Sequence, residues 1–175
     1  MSHTKTRLAL LAIIATSAAA SHQVQAQDAF VALDVSVRPA AAEEMEQRAH
    51  DLILTGHGWE QAAGLYRRAA ELRGTDDAKS ADNMRLAGYI HYYRGRSQAS
   101  VLALTQAGEA FLALGDVEGA AAALIDGAWV ATQAGMSTQA RDLAERARRL
   151  TRSPLLQPEE RSALARRLGT PPSSE

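Results

Sequence analysis

From Ala41 onward, apolar and polar positions recur at i, i+3, i+4 and i+7 with few interruptions, the spacing of amphipathic helices. The pattern predicts helices at about 41–55, 59–73, 78–94, 97–114, 117–134, 137–151 and 158–168. Six of them end near a glycine, at Gly56, Gly74, Gly95, Gly115, Gly135 and Gly169, and the helix at 137–151 stops instead at Ser153-Pro154. Glycine suits these places because it accepts the left-handed conformation that closes a helix and satisfies its last carbonyls. Asp77, Ser97, Asp116 and Ser137 follow as expected N-caps. Two helices separated only by Gly115-Asp116 must turn back antiparallel. Residues 27–40, "QDAFVALDVSVRPA", alternate loosely and predict a short extended leader closed by Pro39.

The middle of the chain repeats itself. Gly95, Gly115 and Gly135 are 20 residues apart, and the same register aligns Met84, Leu104, Leu124 and Ala144. It also aligns Ala87, Ala107, Gly127 and Ala147; Gly88, Gly108 and Ala128; and Ser100, Ala120 and Ala140. One helix and one turn make the unit. Large and small residues recur at fixed offsets if each helix meets the next in the same way, and such units must stack to bury their faces. Gly88 and Gly108 are then expected where helices approach closely.

The helix at 117–134 carries only two charges, Glu118 and Asp126, and its apolar residues cover more than one stripe, so neighbours are expected on both sides. The helix at 137–151 has a single stripe of Ala140, Leu143, Ala144, Ala147 and Leu150 against Arg141, Glu145, Arg148 and Arg149. It belongs near an edge. The last helix opens with Pro158, Glu159 and Glu160 and closes with Arg166, Arg167 and Gly169, all favourable to the helix dipole, and is expected to cap the array. The fold class is therefore all-α, an α-solenoid of about seven antiparallel helices over 41–169, with 170–175 a disordered tail.

These residues resemble tetratricopeptide repeats. Leu104, Ala107, Gly108 and Phe111 are similar to the helix-A positions of that family, Gly115-Asp116 to its turn, and Ala120, Leu124 and Gly127 to helix B. A second copy is similar in Met45, Ala49, Leu52 and Gly56, then Trp59, Ala62, Tyr66 and Ala69, with Gly58 inserted at the turn. Two units span 40 residues where the family's hairpin takes about 34, and the proline that commonly closes helix B is missing, so the likeness is to longer-helix variants. The resemblance implies a scaffold for protein interaction and no reaction.

Composition adds an address. Lys5 and Arg7 precede the uncharged run Leu8 to Ala20, which is too short for the ~20 residues of a membrane span. Val24 and Ala26 stand at the −3 and −1 positions of a signal-peptidase site. Residues 1–26 are thus expected to be a signal peptide cleaved after Ala26, or alternatively after Ala20, with the mature chain periplasmic or secreted. The absence of cysteine rules out disulfides and a lipid-carrying cysteine anchor. Loss of Lys5 and Arg7 leaves 17 basic against 20 acidic residues, a net charge of −3, which does not favour nucleic acid. The charge is uneven, because 137–169 holds eight arginines against four acidic residues. That basic end suits an acidic partner or an anionic surface, or is simply a solvated helix face.

Candidate chemistry is sparse. The chain has no nucleophile elbow, phosphate-binding glycine loop or helical His-Glu-x-x-His. His50 and His57 lack a third ligand at metal-site spacing, and His91 sits at a repeat position otherwise filled by Phe111 and Ala131. No catalytic residue, metal or cofactor is expected. One stripe stands out: Arg85, Tyr89, Tyr92 and Arg96 at i, i+4, i+7 and i+11 on the helix at 78–94. Tyrosine and arginine are favoured at interfaces, so this stripe is the candidate partner-binding surface, unless the tyrosines pack under a neighbouring helix. The reading is an exported, monomeric or weakly associating scaffold for a protein or an extended peptide partner. Its rival is a structural element docking into an envelope assembly or self-associating, with an enzyme the remotest reading.

Overall fold

The computed structural model describes residues 37–169. Two units are distinguished, Met1–Ala40 and Ala41–Glu175. Of the first, only 37–40 are described, and they are helical. This corrects the extended reading at those four positions, since Pro39 is as compatible with an opening helical turn as with an extended leader. The rest of the leader, the expected signal peptide and the tail at 170–175 lie outside the described residues.

All regular structure among the described residues is helical. Helix α1 covers 37–54, followed by α2 (Trp59–Arg73), α3 (Ala78–Tyr93), α4 (Ser97–Ala113), α5 (Val117–Gln133), α6 (Ser137–Leu150) and α7 (Pro158–Gly169). From α2 to α7 each helix packs on the next, and α7 also reaches back to α5. Polar pairs join alternate helices: Glu46 to Asn83, Glu60 to Arg96, Tyr89 to Asp126, Glu109 to Arg146 and Asp126 to Arg167. The odd helices therefore form one layer and the even helices another, an all-α, solenoid-like array.

One turn is built three times. The N–H groups of Gly95, Gly115 and Gly135 donate to Tyr92, Leu112 and Thr132 O, while those of Arg96, Asp116 and Met136 donate to His91, Phe111 and Ala131 O. These paired bonds are a Schellman closure with the glycine left-handed, at φ 79° for Gly115. The residue after the glycine is also the N-cap of the next helix, which is why so little loop is needed. Here the expected caps divide. Asp77 and Asp116 do cap, accepting from the N–H of Lys79 and Gly119. Ser97 and Ser137 do not, because the Schellman bond places Arg96 and Met136 at the cap position, where neither side chain caps.

The interhelical contacts repeat too. A Cβ added to Gly88 would lie 2.8 Å from Leu104 Cγ, and one on Gly108 would lie 3.0 Å from Leu124. Each leucine fills the space a side chain on the preceding helix would need. Leu104 and Leu124 are almost wholly buried, worth roughly 1.5–3 kcal/mol each in apolar transfer. At the next step the register moves by one residue, and Gly127 faces Leu143. Helix α5 is buried along most of its length, whereas α6 buries only Leu143 and Ala147. Leu156 and Leu164 carry the core under α7, which covers the free flank of α5.

Candidate functional site

The fold gives the four stripe residues different surroundings. Arg85 pairs with Asp82 at 2.8 Å, and its guanidinium stands 5.5 Å from the centre of the Phe111 ring. Its Nε is buried without a partner among the described residues. Arg96, more exposed, pairs with Glu60 of α2. Tyr89 and Tyr92 face α5, the next helix in their own layer. The Tyr89 hydroxyl donates to Asp126 Oδ2 at 2.7 Å. Tyr92 meets Trp129 edge-on, with ring centres 4.9 Å apart.

Asp126 organises this region. It is 9% exposed on an otherwise apolar helix and also accepts from Arg167 of α7 at 2.6 Å. Burial pushes the Tyr89 phenol upward, and the Asp126 charge and hydrogen bond add to it, so the hydroxyl remains a donor. Tyr89, Asp126 and Arg167 thus join α3, α5 and α7. A charge inside an apolar helix needs a partner to offset its desolvation, so the lone acid was a legible signal. Its partners were not, lying 37 and 41 residues away.

Arg167 also borders a groove between α5, α6 and α7, about 490 Å³ in volume. Ile125, Ala128, Trp129, Ala140, Ala144 and Leu168 give it an apolar lining, with Arg141, Arg148 and Arg167 around it. No carboxylate is among the residues that line it. Arg141 makes only a long contact of 3.9 Å with Asp142, both side chains well exposed, and Arg148 has no ion pair among the described residues. Trp129 keeps its indole N–H buried with no acceptor there. A row of aromatic contacts leads toward the groove, from Trp59 to Tyr93 to Tyr92 to Trp129. Tyr92 thereby touches one wall residue, and Tyr89 steadies another through Asp126. The basic C-terminal segment was visible in the sequence. Arg141 and Arg148, seven apart and flanked by Ala140 and Ala144, already share a helix face, but the recess exists only because α7 folds back.

A second recess, about 650 Å³, lies at the other end of the array and includes Glu43, Glu44, Glu46, His50 and Asn83 in its lining. Its central carboxylate is already satisfied. Glu46 receives two hydrogen bonds from Arg73, at 2.6 and 2.9 Å, and one from Asn83 at 2.6 Å. Burial alone would raise its pKa, but these bonds and the charges of Arg73 and Lys79 together hold it below the ordinary 4.5. Among the described residues no group of three His, Cys, Asp or Glu is placed to hold a metal, and His57 hydrogen-bonds the Thr55 carbonyl at 2.7 Å. His91 is half-buried, its Nδ1 without a partner among the described residues. Burial lowers its pKa; Arg96 and Arg67 lower it further while Glu60 opposes. No helix of the described residues is long and apolar enough to cross a membrane. Compared with known protein families, curated proteins and solved structures, the chain matches none.

Proposed function

We propose that this chain is an exported scaffold of the tetratricopeptide type, binding a protein or peptide partner in the cell envelope and catalysing no reaction. The observation that carries the reading is the groove between α5, α6 and α7, where three arginines and no carboxylate surround an apolar wall. Of the three, only Arg167 has a short ion pair among the described residues. Interfaces favour aromatic and arginine anchors in such recesses. In this reading Arg141, Arg148 and Trp129 meet the partner, Tyr89 and Tyr92 hold the wall from behind, and Arg96 and exposed Tyr93 extend the surface along the aromatic row. The test is capture of a defined partner from an envelope fraction by wild type and by Arg141→Glu with Arg148→Glu. Loss of capture with unchanged helicity supports the reading, and undiminished capture by the folded variant sinks it. The intact mass of the exported protein checks the address: a chain beginning at Gln27 is expected, and retention of Leu8 to Ala20 contradicts it.

The rival reading, self-association or docking into a larger assembly, draws on the opposite charge of the two recesses. Head-to-tail contact of unlike surfaces propagates rather than closes. It predicts sedimentation that rises with concentration and falls with salt, and survives loss of Tyr92 and Tyr93.

A further inference from the structure

We propose that the groove between α5, α6 and α7 receives an extended, acidic segment of the partner, an apolar side chain resting near Trp129 and carboxylates lying along the arginines of α6. The inference rests on the scaffold reading and gives it a ligand chemistry. Charge is the first argument. Three arginines border the groove and no carboxylate lines it. Asp126 answers only Arg167, since its other oxygen is taken by Tyr89. The long, exposed Arg141–Asp142 contact offsets little of the remaining charge. A cation of this kind gains most from a carboxylate, which it can bind bidentately.

Shape is the second argument. The groove adjoins another recess of about 340 Å³ between α6 and α7, and the two share Arg148, Leu168 and Gly169. Arg152 lines that second recess. Arg141 and Arg148 of α6, with Arg152 just beyond its C-terminal end, therefore mark a track from the groove into the second recess. A free inorganic anion would occupy one point of this track and leave the apolar wall uncovered. An anionic membrane calls for cations spread over an outer helix face with apolar residues lying flat beside them, whereas Arg148 borders both recesses and Trp129 and Ile125 line the larger one. An extended acidic chain with one apolar anchor fits both features.

The experiment uses the full chain and short fluorescent peptides with two acidic residues beside a leucine–phenylalanine pair. Controls carry the matching amides in place of the acids, or serines in place of the apolar pair, and phosphatidylglycerol vesicles form a separate arm. Binding of the acidic amphipathic peptide is expected, weakening with salt and at least about tenfold in Arg148→Ala. Arg148 makes no ion pair among the described residues, so this variant should melt like wild type. Equal binding of the amide peptide would overturn the charge assignment and leave the scaffold reading standing. Equal binding of the serine peptide would remove the apolar anchor. Vesicle binding lost in Arg148→Ala, with no peptide bound, would overturn both readings in favour of a lipid surface. Capture of the native partner unaffected by Arg148→Ala would overturn the inference alone.

Discussion

The two ends of the array use charge in opposite ways. At the α1–α3 end, Arg73 is 5% exposed and Glu46 20%, and each is bound by the other and by a second partner, Asp77 or Asn83. Charge there is spent inside the fold, tying α1 to α2 and α3. At the α5–α7 end Arg167 and Arg146 are tied to carboxylates of other helices, Asp126 and Glu109, while Arg141 and Arg148 border a recess that no carboxylate lines. A cavity lined by acids at one end and by arginines at the other thus differs less in volume than in how far its charges are already answered. An end whose charges are internally satisfied contributes to folding; an end whose charges are unanswered is available to a partner.

Arginine truncation tests that contrast most directly. Arg73→Ala leaves Glu46 partly buried with only Asn83, and a loss of about 3 kcal/mol is expected from denaturant melts. Arg148→Ala should stay within about 0.5 kcal/mol of wild type. Similar losses at the two sites would erase the distinction. Between the ends, Gly108→Leu forces a side chain onto Leu124 and the Ala120 carbonyl, which an added Cβ would already approach to 3.0 and 3.3 Å. About 2 kcal/mol of destabilisation is expected, and a melt unchanged from wild type would refute the close packing of α4 on α5. Gly115→Ala meets no neighbour within 4 Å but strains a left-handed φ, so it should cost about 1 kcal/mol.

Tyr89→Phe sharpens the picture at the arginine end. It removes one hydrogen bond to Asp126 and keeps the ring, and Arg167 remains to hold the carboxylate, so about 1 kcal/mol is expected. A negligible change would mean that Arg167 alone anchors Asp126. The smallest effect is the response to pH. Glu46 has a lowered pKa, so its contribution is present above its ordinary 4.5 and is lost as pH falls through the folded value. The depressed pKa of His91 acts in the same direction: stability is intact above 6.5 and declines below it as the half-buried ring is forced to charge. Stability should therefore fall with acid, and Glu46→Gln should flatten the part of the profile below about 4.5. A profile unaffected by that substitution would show that the Glu46 charge contributes little to folding.

Much of the fold was legible because it rests on local chemistry repeated at a fixed interval. Helix ends, the glycine closures and the close approaches at Gly88 and Gly108 depend on residues within one or two units of each other. The serine caps were misplaced by one residue for a local reason as well: the Schellman bond decides which residue follows the glycine into the cap, and serine chemistry alone does not reveal it. The candidate stripe shows where local reading stops. Arg85, Tyr89 and Tyr92 do lie on α3, but Arg96 falls beyond its end, at the N-cap of α4, and helical spacing carries no information about what lies opposite. There the array places α5, and with it Asp126 and Trp129.

By itself, the sequence determined the helices, their turns, the 20-residue register, the central position of α5 and the basic character of the C-terminal end. Each follows from spacing along the chain and from the intrinsic preferences of glycine, alanine and the capping residues. Only the tertiary structure decided which charges are answered and which are left open. Glu46 finds Arg73 and Asn83 at separations of 27 and 37 residues, and Asp126 finds Tyr89 and Arg167 at 37 and 41. The arginines of α6 border a recess because α7 folds back beside α5. Electrostatic partnership depends on distance through space and on burial, and neither quantity exists until the helices have stacked.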